Sequence, residues 1–176
     1  MSDQIILSDI ANEHLPHEID QLRGTFRQLE EMEKAGAAEP SDVTTRILKN
    51  ALIESFCVHA RTLIDFFANR PTNDDVVAEH FGCFPALLKP NEKPLSCLRT
   101  TLNKQIFHLT RNRTIIDAKK FDVSTDGVEV LRMIEPEIER FNKLRPLECR
   151  VPPVEAPSLP SRTTTALAAK TIGGPP

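Results

Sequence analysis

The stretch from Ser41 to Asn69 constrains this chain more than any other, because apolar periodicity persists through it until Pro71. One stripe reads Leu48, Leu52, Phe56, His59, Leu63 and Phe66, with Ser55 and Phe67 beside it. A second face carries Glu54, Val58, Arg61 and Asp65. Spacings of three and four place each set on one side of an α-helix. Ser41 or Asp42 can cap its first turn, and Pro71 cannot continue it. A helix of about 28 residues reaches roughly 40 Å, so it is expected to be a central rod for the other elements.

Three further amphipathic segments surround that rod in sequence. The first runs from Pro16 to Lys34 with Leu15, Ile19, Leu22, Phe26, Leu29 and Met32 as its apolar side. Its other side, with Glu18, Asp20, Arg23, Arg27, Glu30, Glu31 and Lys34, reads as a solvated face of mixed charge. Pro16 suits a first helical turn, and Gly36 and Pro40 close the segment. The second runs from Pro94 to Asn112 with a narrow stripe of Leu95, Leu98, Leu102, Ile106 and Leu109. The third runs from Thr125 to Leu144 with Val128, Leu131, Ile134, Ile138 and Phe141 inward. Pro136 lies inside it, which predicts a kink or a restart.

Between the rod and the second segment, Thr72 and Asp75 have capping-box spacing, which predicts a short helix from Asn73 to Phe81. Phe81, Cys83, Phe84, Leu87 and Leu88 are expected to fold back over one end of the bundle. The fold class that follows is all-α, an antiparallel bundle of four main helices plus a short loop helix, over residues 1–145. From Pro146 onward the pattern is lost. Residues 146–176 hold six prolines besides Pro146, no aromatic residue and a Thr163–Thr165 run, and read as a disordered tail.

Composition narrows the function classes. A net charge of −3 supplies no global field for nucleic acid or membrane, so any polyanion contact must be local. Phe is the only aromatic residue, which argues against a mixed-ring stacking platform for bases or sugars. The four cysteines (Cys57, Cys83, Cys97 and Cys149) form no CxxC pair, which fits a reducing compartment. The N-terminal residues carry no basic region ahead of an apolar one, and no apolar window reaches membrane-spanning length. A cytoplasmic protein without a membrane partner is expected.

Few residues carry recognisable chemistry. No Gly-rich phosphate loop, GxSxG or HExxH occurs. His14 and His17, like His80 and Cys83, lack further ligands at zinc spacing, so neither a metal nor another cofactor is expected. His59 reads as a core histidine with a partner on a neighbouring helix, or alternatively as a buried general base. Arg61 and Asp65, four apart, read as a salt bridge, with partial burial against the next helix as one form of it and catalysis as the lesser use. From Arg99 to Lys120 there are six Lys or Arg against one acid, Asp117, and His108 lies among them. That run, with Arg99, Lys104 and Arg111, could hold a phosphodiester beside His108 as acid or base; a solvated helix face is the plainer reading.

Two short motifs, HARTLIDFF at His59–Phe67 and LNKQIFHLT at Leu102–Thr110, resemble the HEPN-like helical bundles (higher eukaryotes and prokaryotes nucleotide-binding). The resemblance covers Ser41 to Leu144. It implies a bundle of four or five helices that often dimerises, with a cognate protein or RNA as partner. Active members of such families are metal-independent ribonucleases of toxin–antitoxin and antiphage systems, with an arginine a few residues ahead of a histidine. Here His108 stands for that histidine, and the positions with four, five and six intervening residues are Asn103, Leu102 and Thr101. Asn103 is the nearest polar match, so His108 and Asn103 are the candidate catalytic pair. Arg99 has eight residues between it and His108, and the motif arginine has no counterpart. Arg61, on another helix, is the cation that could replace it in space. The resemblance therefore implies a non-catalytic protein first and an endoribonuclease second.

Overall fold

The computed structural model describes residues 3–36, 42–68, 75–83 and 122–144, and among these there is no β-strand. Four α-helices carry them: α1 (Asp3–Asp9), α2 (Leu15–Lys34), α3 (Val43–Ala68) and α4 (Val128–Leu144). A π-helical turn, Ile10–His14, joins α1 to α2 without a break, so the described residues form three long helical rods. The all-α class holds. The expected fourth main helix, Pro94–Asn112, lies outside the described residues, as does the tail at 146–176.

The first rod begins earlier than the sequence suggests, and Pro16 is the reason the true start is disguised. Pro16 has no N–H for the Asn12 carbonyl, and its ring crowds that carbonyl in a regular helix. The turn ahead of it is widened: the Leu15 N–H donates to the Ile10 carbonyl, five residues back. One expanded turn thus absorbs a proline that would otherwise end the helix. Pro136 is absorbed as well, since α4 runs unbroken from Val128 to Leu144, with no restart.

Asp42 starts α3. Its Oδ1 accepts from the Thr44 N–H at 2.8 Å and its Oδ2 from the Thr45 N–H at 3.0 Å. These hydrogen bonds from Thr45 and Thr44 hold its carboxyl below the ordinary aspartate value. A carboxyl depressed on folding stabilises above its unfolded pKa and loses that contribution as pH falls through the lower folded one. Asp42→Ala is therefore expected to lower the urea midpoint at neutral pH. The gap between variant and wild type should close when the titration is repeated below the Asp42 pKa.

The rods pair through a few identifiable contacts. Phe26 on α2 meets Phe56 on α3 with ring centroids 5.9 Å apart, and Glu18 on α2 reaches His59 on α3. Since residue numbers rise on one helix as they fall on the other, α2 and α3 are antiparallel. Arg23 pairs with Glu135, and a Cβ on Gly127 would sit 3.2 Å from the Phe26 ring, so α2 and α4 are antiparallel too. It follows that α3 and α4 run parallel. Phe141 near the end of α4 packs against Phe66 and Phe67 near the end of α3, at 5.4 and 5.9 Å.

The core lies where the three rods meet: Ile19, Leu22, Phe26, Leu29, Phe56, Leu63, Ile64, Phe67, Leu131, Ile134 and Phe141 are all buried. The predicted short helix is corrected to a single 3₁₀ turn, Ala78–Phe81. The Val77 N–H donates to His80 Nδ1 at 3.1 Å, and Gly82 closes the turn at φ 74°; Thr72 lies outside the described residues. That turn delivers Phe81 against Phe66 and Phe141, and Cys83 is buried behind it. Leu48 is a second correction. Expected inside, it is 54% exposed, because packing of α3 against the core begins only at Leu52 and Ile53.

Candidate functional site

The HARTLIDFF motif can be read residue by residue on α3. Ala60, Leu63, Ile64, Phe66 and Phe67 are buried in the core. The His59 Nδ1 lies 2.8 Å from Glu18 Oε2, and its ring meets that of His17 edge-on at 5.9 Å. An ionised carboxylate only accepts, so this contact selects the tautomer or ion with hydrogen on Nδ1. His59 therefore has its partner on a neighbouring helix and belongs to packing. Arg61 Nε lies 3.5 Å from Asp65 Oδ2 within the same helix. Both side chains are more than a third exposed (43% and 38%), so the pair is a surface one and contributes a few tenths of a kcal/mol. The helix against which partial burial of the pair is expected, Pro94–Asn112, lies outside the described residues.

His108, Asn103, Arg99, Lys104 and Arg111 all lie outside the described residues, and with them the motif LNKQIFHLT. Among the described residues no group of three His, Cys, Asp or Glu side chains is arranged to hold a metal ion. No described helix is long and apolar enough to cross a membrane.

Two ionic features were missed in the sequence. Arg23, assigned there to the solvated face, is 6% exposed. Its Nε and Nη2 donate to the two carboxylate oxygens of Glu135, at 2.8 and 2.6 Å, a forked pair of charge-assisted bonds. Glu137, two residues further along α4, is fully buried, with Arg140 Nε donating to its Oε2 at 2.8 Å. The only cue to Arg23 was its position directly beside Leu22 at the edge of the apolar stripe. These pairs tie α2 to α4 and stiffen α4; neither opens toward a substrate.

Cys57 is fully buried, and burial first, then the negative charges of Asp126 and Glu54, push its thiol far above the ordinary cysteine range. A thiol so held is no nucleophile. No family model, no curated protein and no solved structure matches the chain.

Proposed function

We propose that this chain is a HEPN-like helical protein that works through protein–protein contact or weak RNA binding and does not catalyse a reaction. The carrying observation is the spacing ahead of His108, where Asn103, Leu102 and Thr101 occupy the positions an active-site arginine would take. A transition-state phosphate needs a fixed cation, and an asparagine supplies only a neutral donor. Arg61 is a poor substitute, because Asp65 on the same helix face already engages it. The long rod α3 and the packing of its HARTLIDFF stretch agree with a bundle of this kind.

The second reading is a metal-independent endoribonuclease of toxin–antitoxin or antiphage type, favoured by the basic residues Arg99, Lys104 and Arg111 around His108. RNA cleavage in EDTA by the wild type and by His108→Ala separates the two. The expected result is that neither protein cleaves. Cleavage by the wild type that falls by about a hundredfold or more in the variant would instead assign His108 as acid or base.

A further inference from the structure

Two histidines from different rods meet at the seam between α2 and α3. The rings of His17 and His59 lie 5.9 Å apart, centre to centre, with their planes at 81°. His17 is exposed on α2, and the His59 side chain on α3 is 15% exposed, so the pair sits at the edge of the bundle within reach of solutes.

Glu18 decides which nitrogen His59 offers. Its Oε2 lies 2.8 Å from His59 Nδ1, and in the neutral ring with hydrogen on Nδ1 the lone pair is on Nε2. A carboxylate holding one ring N–H is the arrangement that stands behind metal-ligating imidazoles, where it fixes the ring and raises its basicity. His17, being exposed, can turn either of its nitrogens toward the seam. Bonds of about 2.0–2.1 Å to nitrogen put two imidazoles on one ion about 5–6 Å apart between centres. The separation of 5.9 Å lies in that range.

We propose that His17 and His59 bind one divalent ion of the zinc, copper or nickel kind across the α2–α3 seam, with Glu18 as the positioning residue behind His59. Imidazole is the donor these ions share, whereas magnesium and calcium favour oxygen. Water fills the other coordination positions, since the described residues form no group of three His, Cys, Asp or Glu ligands. An ion held by two side chains exchanges readily. Its effect is to clip the two rods together, because it binds the folded pairing of α2 with α3 and stabilises that pairing by linkage. The inference is independent of whether the chain contacts RNA or another protein.

Zinc chloride titrated into the full chain tests it, with the imidazoles of its five histidines followed by NMR. His17 and His59 are expected to shift together and saturate, while His14, His80 and His108 keep their positions. The urea midpoint should be higher in zinc than in EDTA. His17→Ala, at an exposed position, should fold normally in EDTA, bind zinc about tenfold or more weakly and lose the midpoint difference. Glu18→Gln should weaken binding by about tenfold and leave the His59 ring a mixture of tautomers, read from its nitrogen shifts. The proposal is overturned if His17 and His59 do not shift, or if His17→Ala binds zinc as tightly as the wild type. Shifts confined to His14, His80 or His108 overturn it too, since they report an adventitious ion only.

Discussion

Arg23→Ala is expected to destabilise the protein by about 3–5 kcal/mol, more than any surface change, because it leaves Glu135 buried without its partner. Both side chains are nearly withdrawn from water, at 7% and 12% exposure, and the fork of two bonds fixes one approach of α2 to α4. Glu135→Ala should also destabilise, because the buried Arg23 guanidinium then loses its forked carboxylate. The double replacement Arg23→Met with Glu135→Leu should recover most of the loss, since removing both charges also removes the desolvation each one suffers. Urea denaturation of the four proteins, closed as a double-mutant cycle, measures the coupling directly. A single variant as stable as the wild type would show that the pair is solvated in solution.

Phe141→Ala carries the second large effect, about 3–5 kcal/mol for a fully buried aromatic ring. Phe141 holds more than its own place. Its ring lies 5.4 Å from Phe66, 5.9 Å from Phe67 and 5.3 Å from Phe81, each edge to face, so its removal vacates the centre of a four-ring cluster. Phe81 sits on the short 3₁₀ turn and is packed there chiefly by Phe66 and Phe141. Exchange at 78–83 should therefore accelerate in this variant beyond the global change in stability. Phe26→Ala, at the other end of the core, should match the global loss and leave the 78–83 turn at the rate that loss implies.

What could be read in the chain and what could not divide along one physical line, the distance in sequence over which a feature is determined. The ends of α2 and α4 at Lys34 and Leu144 and the cap of α3 at Asp42 follow from neighbouring residues, and were legible. The Arg61–Asp65 pair is legible for the same reason, being one turn of one helix. The partner of His59 is 41 residues away and that of Arg23 is 112 away, and no local pattern names either. Pro16 carries the local signature of a helix start, and only the widened turn before it lets the N-terminal rod run on from Asp3. Leu48 was placed inside because periodicity marks an apolar face without saying which neighbour covers it. Of the candidate site, Arg61 and Asp65 alone lie among the described residues, as an ion pair one helical turn apart with Nε–Oδ2 at 3.5 Å.

The parallel course of α3 and α4 also dictates an order of assembly. Rods α2 and α3 are separated by a connection of a few residues, 35–42, and can form a helical hairpin while the rest of the chain is still unfolded. Rod α4 must close a loop of more than fifty residues before Glu135 meets Arg23, and loop closure is an entropic barrier that no contact offsets until it is complete. Substitutions at the Phe26–Phe56 contact should therefore slow refolding, whereas Glu135 substitutions should chiefly hasten unfolding. On a ribosome, the hairpin emerges and waits for the strut that locks it.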